Sequence, residues 1–564
     1  MSSKLNLINI FFLSLLIFLS ACGNHKTIKE KEIVNAPEKM DDQVSDNIKS
    51  VLDFADTYKG KINDSVQLAQ FKLVNTFYSG NSFKGVWSKT ENWNPVADSM
   101  YEFIKNSMYY GLYPEDYHFK ELKEIRSKIE KDSSARMDAV VWTKADLMLT
   151  DAFIQTIKDL KEGRMTDDSV SIVSSENAAD SFFLPKLRKA LSSNSVTTIF
   201  ENEEPKNVYY VSLKEKLPEF VNSMDKKKYL YINFPYIDTL QFYKQLHQRF
   251  LQSGIATDTT DSPDSVSVSR EVKKYQAKHK LKVDGKPGEG TISKLNSYDF
   301  EKFRKIAVTL DRYKNFPVFP QNFLMVNIPA FALKVWDNDS VILTSKVIVG
   351  KPTTPTPVLK SAISNMITYP NWTIPASIIK KDILPALKVN PGYLASKGFS
   401  LVDYHGQTVD PYSVTWSKYK NGIPWKIVQG SGDDNALGIF KFNFSNPYSV
   451  YLHDTNQRYL FGNSNRALSH GCVRVQKWEA LAFYIAKNDS IAATNDKKKV
   501  SYNEDSIKTW IANEDRKSIM VRKRLPLFIE YFTCEASKDR IVFYNDIYNQ
   551  DQALEEKYFR DKTF

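Results

Sequence analysis

The chain has 564 residues, a formal net charge of +11 and 42% hydrophobic residues. Its length excludes a single ordinary domain and predicts roughly three or four domains. The sequence shows no basic stripe and no nucleic-acid-binding motif, so nucleic acid is not an expected partner. The positive charge indicates only that acidic polymers, such as anionic cell-wall material or a lipid surface, are acceptable partners.

The first residues predict export and attachment to a membrane. Lys4 precedes an apolar run over 7–19, which is too short to span a bilayer comfortably and is typical of a secretory signal. The run ends in Leu19-Ser20-Ala21-Cys22-Gly23, which resembles a bacterial lipobox. We therefore expect a signal peptide over 1–21 and a lipid on Cys22. An ordinary signal peptide or a membrane anchor is the alternative, and no other stretch is long and apolar enough to cross a bilayer.

The next two segments differ in composition and in the spacing of their apolar residues. Residues 22–60 are polar and charged, and they predict a flexible tether. Residues 61–235 predict an α-helical scaffold domain. Within it, Leu149, Phe153 and Ile157 recur at near-helical spacing on one face. Nothing in this domain has catalytic spacing.

Residues 236–298 predict a small unit of three helices. The first helix carries Leu246 and Phe250, the second Val272 and Tyr275, and the third begins at Thr291 after an Asp-Gly turn. This pattern resembles the small three-helix peptidoglycan-binding module. A generic three-helix spacer that binds nothing is the alternative.

From residue 299 the pattern favours β-strands, and we expect one catalytic domain over 299–550, followed by a C-terminal tail over 551–564. A less regular insertion with helical pieces, over about 373–428, is a candidate lid. The predicted strands are Phe323–Ile328, Ser345–Gly350, Leu437–Phe444 and Ser449–Leu452, the last of which delivers His453.

One of the three cysteines has the surroundings of a nucleophile. Cys472 lies in Ser469-His470-Gly471-Cys472-Val473-Arg474, and a second histidine, His453, lies earlier at the end of a predicted strand. Cys534 lies in a strand-like run and is expected to be a buried thiol. A disulfide between these two cysteines is the alternative in an oxidising compartment.

A thiol attacks as the thiolate, so Cys472 needs a base or a positive neighbour. His453 can be that base, and Asp454 can hold its imidazole through either its carbonyl or its side chain. The N–H groups of Gly471 and Cys472 are candidate oxyanion donors. Arg474 adds positive charge, and a helix expected to begin near Gln476 would point its N-terminus at the thiol.

These residues resemble the L,D-transpeptidase signature, in which a His is followed after a gap by Ser/Thr-His-Gly-Cys, a hydrophobic residue, and Asn or Arg. The helical scaffold and the small module indicate the large, multi-domain branch of that family. Further stretches carry the same resemblance: Asn327-Ile328-Pro329-Ala330-Phe331, Val349-Gly350-Lys351-Pro352, Asn371-Trp372-Thr373-Ile374-Pro375, Asn435-Ala436-Leu437-Gly438, Tyr451-Leu452-His453-Asp454-Thr455, and Pro526 to Tyr548.

The resemblance implies a multi-domain α+β protein with a β-sandwich catalytic domain. In that reading Cys472 is the nucleophile, His453 the base and Asp454 the residue that orients it, while His470 and Gly471 frame the oxyanion site with Cys472. His470 could instead make a structural hydrogen bond, and Ser469 is expected to stabilise the turn. For Arg474 the alternative to a role in the site is a surface salt bridge.

The resemblance also implies a function. Cys472 would attack a peptidoglycan stem at position three, D-Ala would leave, and another stem would capture the acyl group in a 3→3 cross-link. It further implies acylation by carbapenem-type β-lactams and a periplasmic location in the cell envelope. No metal or organic cofactor is expected, and the oligomeric state is left open.

Three alternatives differ in what happens at the thiol. The acyl group could pass to a protein lysine or to water, or the chain could be a non-catalytic lipoprotein that binds the wall through 236–298. The presence of both His453 and Cys472 argues against a pure binder. A papain-like protease has the same residue types, but this chain lacks the local sequence around the Cys and the downstream His.

Overall fold

The computed structural model describes residues 29–165, 178–259, 263–316, 319–496, 501–559 and 562. The described residues form two compact units. The first holds residues up to Glu162, those from 178 to Glu204, and Lys562. The second holds residues from Gly163 to 165 and from Pro205 to 559. The predicted signal peptide and the predicted lipid site at Cys22 lie outside the described residues.

The first unit is helical around one long buried helix. In this helix, α6 (Ala139–Glu162), side chains are buried on all sides because the other helices surround it. Its elements are α1 (Met40–Thr57), α2 (Phe71–Ser79), the hairpin β1 (Ser88–Lys89) and β2 (Asn92–Trp93), α3 (Pro95–Lys105), α4 (Phe119–Lys131), α5 (Ser133–Arg136), α6 (Ala139–Glu162), α7 (Phe183–Ser193) and α8 (Thr197–Glu203).

Helix α1 corrects the predicted tether over 22–60. Val44, Ile48 and Leu52 lie on one face of α1 and are buried in the core of the first unit. The spacing of four residues places them one above another on the helix. The charged residues between them face outward, so the composition of this segment concealed an amphipathic helix.

The second unit contains more helices and all the long strands. Its helices are α9 (Val208–Ser223), α10 (Thr239–Gln252), α11 (Ser265–Lys278), α12 (Glu289–Asn296), α13 (Asp299–Lys314), α14 (Ala376–Ile378), a π-helical turn (Ile379–Ile383), α15 (Leu384–Val389), α16 (Tyr393–Ser396), α17 (Trp478–Asn495), α18 (Glu504–Ala512) and α19 (Gln550–Tyr558). Its strands are β3 (Asn322–Asn327), β4 (Ala332–Asp337), β5 (Ser340–Gly350), β6 (Leu359–Thr368), β7 (Trp372–Thr373), β8 (Phe399–Val402), β9 (Lys426–Gln429), β10 (Phe440–Phe444), β11 (Leu452–His453), β12 (Ala467–Ser469), β13 (Val473–Val475), β14 (Ser518–Glu530), β15 (Cys534–Ser537) and β16 (Arg540–Phe543).

Nine strands form one sheet in the order β12-β5-β13-β11-β10-β6-β14-β3-β4, and β4 also pairs with β5. The α+β class is confirmed, but the predicted β-sandwich is one continuous sheet that closes on itself. The length of β5 explains the closure. Its first residues pair with β4, whereas Val347 and Ile348 pair with β13 and Gly350 with β12.

The insertion over 373–428 is a small folded subdomain within the second unit. Strands β7, β9 and β8 form a separate three-stranded sheet at its base. Leu387, Leu401 and Trp416 lie in a hydrophobic cluster of its own. This subdomain therefore has a core that is independent of the main sheet.

Two domain borders lie at positions that differ from the predicted ones. Helix α9 lies in the predicted scaffold range, but Tyr210 and Leu213 pack with strand residues of the second unit. The predicted C-terminal tail begins with α19, where the buried Asp551 accepts a bond from Arg312 Nη1 at 2.5 Å. Both segments are held by long-range contacts. None of the described helices has the length and apolar character needed to cross a membrane.

Candidate active site

Strand pairing brings the two halves of the site together. Strand β11 pairs in parallel with β13, with Leu452 opposite Val473 and His453 opposite Arg474. Tyr451 accepts a backbone bond from Val473 N at 3.1 Å. In this parallel register Cys472, which directly precedes β13, lies at the level of Tyr451, two residues before His453.

The loop before the cysteine is held by side-chain hydroxyls. Ser469 Oγ donates to the Cys472 carbonyl at 2.6 Å and accepts from Gly471 N–H at 3.1 Å. Thr356 Oγ1 donates to the Gly471 carbonyl at 2.8 Å. Ser469 thus stabilises the turn, and Gly471 has a φ of +118°, in a region that favours glycine.

This loop corrects one expected oxyanion donor. The Gly471 N–H is already bonded to Ser469 Oγ. The Cys472 N–H, by contrast, has no hydrogen-bond partner among the described residues. Of the two expected donors, only the Cys472 N–H is available to an oxyanion.

His453 is a neutral imidazole at physiological pH. Its side chain is 4% exposed, and burial, followed by the charges of Arg474 and Lys441, lowers its pKa to about 3. The backbone carbonyls of Asp454 and Leu437 act in the opposite direction. The buried Nδ1 makes no hydrogen bond of ordinary geometry within the described residues, so these two carbonyls are the candidate acceptors for the ring N–H.

The Asp454 carboxylate is directed away from His453. Arg458 donates to it through Nε at 3.1 Å and Nη2 at 2.5 Å, and Ile439 N–H donates at 3.2 Å. Gly438 lies so close that a Cβ there would collide with this carboxylate. The predicted orienting role can therefore be filled only by the Asp454 backbone carbonyl.

The Cys472 thiol is only partly open to solvent, and the dense protein around it raises its pKa above the ordinary value of 9.0. Tyr451, Lys441 and Arg474 act in the opposite direction. The Sγ lies 4.0 Å from the Ser449 carbonyl. The expected help from a helix N-terminus is wrong, because α17 begins at Trp478, after β13, and does not line the cleft.

Cys472 opens into a cleft of about 330 Å³. The insertion contributes one side of it, and the segment before His453 contributes another. The lining residues are Trp372, Pro375, Ala376, Ser377, Ile378, Ala436, Leu437, Tyr448, Ser449, Val450, Tyr451, His453, Ser469, His470, Cys472 and Arg474.

His470 and Arg474 have partners that the sequence did not reveal. His470 Nε2 lies 2.7 Å from Asp382 Oδ2, in the π-helical turn of the insertion. Arg474 Nη1 donates to Gln457 Oε1 at 3.1 Å and Thr455 Oγ1 at 3.3 Å. Within the described part of the chain Arg474 contacts no carboxylate, so its charge acts on the cleft.

Sequence reasoning missed Tyr451 and Lys441. Tyr451 lies two residues before His453, on the same face of the strand, with ring centroids 5.6 Å apart. Lys441 lies opposite His453 in the sheet, with its Nζ 3.8 Å from the centre of the Tyr451 ring. The alternation of side chains along a strand could have identified Tyr451, because it places residues 451 and 453 on the same face. No sequence signal could have identified Lys441.

The other cysteine is a core thiol. Cys534 is fully buried and unpaired, its Sγ lies 3.3 Å from Thr309 Oγ1, and burial raises its pKa to about 12. The disulfide alternative is therefore wrong. Across the described residues, no group of three or more His, Cys, Asp or Glu side chains could hold a metal ion.

Known proteins share parts of this chain. Residues 321–491 match the family model of the L,D-transpeptidase catalytic domain, and residues 72–217 match that of the Scaffold domain. A curated Haemophilus influenzae protein named "Putative L,D-transpeptidase" is 36% identical over 251 residues, which is 44% of this chain and 49% of that protein. The alignment thus spans about half of that relative's length.

Two solved structures are similar at low identity. An Enterococcus faecium L,D-transpeptidase mutant is 11% identical, covers 38% of this chain and 52% of its own, and has a TM-score of 0.17. An L,D-transpeptidase from Stackebrandtia nassauensis is 13% identical, covers 46% and 91%, and has a TM-score of 0.15.

The family matches define the class of this protein. It carries an L,D-transpeptidase catalytic domain preceded by a scaffold domain. This multi-domain arrangement is the one indicated by the Ser-His-Gly-Cys motif and the helical N-terminal half, so the family assignment made from the sequence is confirmed.

Proposed function

We propose that this protein is a peptidoglycan L,D-transpeptidase that works through an acyl-thioester on Cys472. One observation carries the proposal: the Cys472 thiol and the His453 imidazole line the same cleft, inside the matched catalytic domain. The cleft volume of about 330 Å³ falls in the range of small-molecule and peptide subsites.

The first half of the reaction is acylation. Cys472 Sγ attacks the carbonyl carbon of the diamino acid at stem position three, while His453 takes the thiol proton. The Cys472 N–H donates to the oxyanion that forms. The bond to the terminal D-Ala then breaks, and His453 returns the proton to the leaving amine. Arg474 supplies positive charge beside the thiol.

The second half transfers the acyl group. The side-chain amine of another stem attacks the thioester and loses a proton, and Cys472 leaves as the thiol. The product is a 3→3 cross-link. The amine of a protein lysine, or water, would attack the thioester in the same way. The identity of the acceptor therefore distinguishes cross-linking from protein attachment and from hydrolysis.

Replacing the nucleophile tests this function. With purified tetrapeptide muropeptides, Cys472→Ala should abolish the release of D-Ala and the formation of dimers, because the variant has no thiol to acylate. Mass spectrometry of the products gives the readout and identifies the acceptor. A carbapenem-type β-lactam should give a mass adduct on the unaltered chain and none on Cys472→Ala.

Cys534→Ala is the matched control, since it removes the other described thiol, which is buried outside the cleft. This variant should keep both the dimer products and the adduct. Dimer formation by Cys472→Ala would contradict the proposed mechanism.

The proposal also includes a location. A lipid on Cys22 would hold the chain to a membrane, and the catalytic domain would face the periplasm, where the wall is built. The lipobox-like Leu19-Ser20-Ala21-Cys22 and the catalytic-domain match support this placement.

A further inference from the structure

Tyr548 is connected to the catalytic loop (469–472) from outside the cleft. It lies just before α19 and beyond residues 321–491, which match the catalytic-domain family, and it does not line the cleft. Its hydroxyl donates to the Gly350 carbonyl at 2.6 Å and accepts from Thr356 N–H at 3.2 Å. Neither the family matches nor the proposed chemistry gives this tyrosine a role.

Thr356 continues the connection toward the nucleophile. This residue is buried, and its hydroxyl accepts from Gly350 N–H at 2.8 Å and donates to the Gly471 carbonyl at 2.8 Å. The backbone and the side chain of Thr356 are thus both held by hydrogen bonds. An unbroken chain of hydrogen bonds therefore runs from the Tyr548 hydroxyl to the residue that precedes Cys472.

The segment between Gly350 and Thr356 packs closely along the catalytic loop. A Cβ at Gly350 would lie 2.2 Å from the Thr354 carbonyl oxygen and 2.7 Å from Thr356 N, so glycine is needed for the chain to turn back here. Lys351 N–H donates to the Ser469 carbonyl at 2.9 Å, and Thr354 Oγ1 donates to the same oxygen at 3.2 Å. These contacts fix the position of this segment against the loop.

The Gly471 carbonyl and the Cys472 N–H belong to one trans peptide. Such a peptide is planar, and its C=O and N–H point in opposite directions, so the bond from Thr356 also fixes the direction of the Cys472 N–H. Ser469 Oγ holds the two neighbouring peptides, through Gly471 N–H and the Cys472 carbonyl. Because glycine has wide backbone freedom, the peptide between them would be free to rotate without Thr356.

Tyr548 is itself held by the C-terminal segment. Its N–H donates to the Tyr531 hydroxyl at 2.9 Å, and the two rings stack with centroids 5.6 Å apart. The Tyr531 hydroxyl donates to Asp546, whose carboxylate also accepts from Gln550 N–H and Gln552 N–H at the start of α19, each at 2.9 Å. The tyrosine therefore has a fixed position from which to act on the loop.

We propose that Tyr548 and Thr356 are positioning residues of the oxyanion site, which hold the Gly471–Cys472 peptide so that the Cys472 N–H donates into the cleft. That N–H is the donor available to an oxyanion, because the Gly471 N–H is already used. Tyr548 acts through Thr356 and Gly350, since it does not line the cleft. The role rests on the acyl transfer proposed for Cys472, and it gives the C-terminal segment a part in that reaction.

Two reactions of Cys472 separate this role from a merely structural one. p-Nitrophenyl acetate acylates a thiol through a tetrahedral oxyanion and releases p-nitrophenolate, whereas iodoacetamide alkylates a thiol by displacing iodide and forms no oxyanion. Tyr548→Phe removes the hydroxyl and keeps the ring against Tyr531. It should slow acylation about tenfold, because losing an oxyanion donor costs about 10²–10³ in rate and loosening one costs a part of that. Alkylation should keep its rate.

The proposal is overturned if the two rates fall together, if neither falls, or if acylation of the unaltered chain is no faster than that of Cys472→Ala. With tetrapeptide muropeptides, Tyr548→Phe should lower kcat for the release of D-Ala and leave KM unchanged, because Tyr548 does not line the cleft. An unaltered chain that releases no D-Ala would overturn the proposed function. The comparison of ester and alkylating agent needs no stem peptide, so it still decides the role of Tyr548.

Variants of Thr356 test the route. Thr356→Val removes the hydroxyl that contacts Gly471 and should slow acylation at least as much as Tyr548→Phe, whereas Thr356→Ser keeps the hydroxyl and should retain most of the rate. The double variant Thr356→Val with Tyr548→Phe should be no slower than Thr356→Val alone, because residues that act through one route have non-additive effects. Additive losses would contradict a route through Thr356.

Tyr544→Phe is the matched control. Its hydroxyl lies in the same segment but donates to Glu535, so its removal should change neither acylation nor alkylation. Circular dichroism and thermal unfolding show whether each variant folds. If Tyr548→Phe is unfolded at the assay temperature, Thr356→Val against Thr356→Ser decides the question, because this pair changes the same hydrogen-bond route closer to Gly471.

Discussion

Cys472 and His453 form a pair that is neutral at rest, because burial disfavours the charged form of each. It raises the pKa of the thiol above 9.0 and lowers that of the imidazole to about 3. A preformed thiolate–imidazolium pair would need the opposite order of pKa values. In the proposed mechanism His453 would therefore take the proton during the attack, and Lys441 and Arg474 would stabilise the negative charge as it appears.

The pH dependence of alkylation tests this description. Only the thiolate reacts, and its fraction grows as pH rises toward a pKa above 9.0. The rate of iodoacetamide modification of Cys472 should therefore rise about tenfold per pH unit from pH 6 to 8, without a plateau. Peptide mass spectrometry measures the rate, and buried Cys534 should stay unmodified. A plateau below pH 7 would show that the thiolate already exists at rest.

Among the elements, the insertion over 373–428 has the most direct connection to the catalytic loop. It supplies Pro375 and Ile378 to the cleft, and its π-helical turn positions Asp382 against His470. A π-helical turn shifts the side chains that follow relative to a regular helix, and such turns are frequent at functional sites. His470 thus connects the catalytic loop to the insertion. This agrees with the alternative that His470 makes a structural hydrogen bond.

Removing the Asp382 carboxylate should loosen this connection. We expect Asp382→Ala to lower kcat/KM about two- to fivefold, since exposed pairs of this kind contribute less than about 1 kcal/mol. Hydrogen exchange in 373–428 should become faster, and Asp382→Glu should restore part of both. Lys381→Ala, at an exposed neighbouring position, is the control and should change neither. Unaltered exchange in Asp382→Ala would argue against a connection.

At the scale of the whole molecule, long-range contacts determine which segments belong to which unit. Residues 40–57 belong to the first unit, and α9 and α19 belong to the second. Arg312 connects α13 to both the Tyr531 carbonyl and Asp551. The segments predicted as tether, scaffold end and tail are thus parts of folded cores.

Lipid attachment is a property of the whole chain and has its own test. Cells expressing the full chain and fed a palmitate analogue should label the protein, and Cys22→Ala should remove the label, because the thiol of Cys22 is the proposed attachment point. Cys534→Ala serves as the control and should keep the label. Label that persists in Cys22→Ala would refute the lipobox interpretation.

The small helical unit and three of the four predicted strands could be located from the sequence because their signals are local. The three helices over 239–296 follow from apolar spacing and an Asp-Gly turn, and β3, β5 and β10 lie within a few residues of their predicted positions. Helix α1 was equally visible in the spacing of Val44, Ile48 and Leu52. The charged residues between these apolar ones dominate the composition of the segment and mask its helical periodicity.

The sequence by itself determined which residues we propose as nucleophile and base, because residue type and local order single out Cys472 and His453. Only the tertiary structure decided that the Asp454 carboxylate faces Arg458, that the Gly471 N–H is already used, and that His470 meets a residue 88 positions away. It also decided the charge states of Cys472 and His453. These properties depend on burial and on contacts between distant segments, which no local pattern encodes.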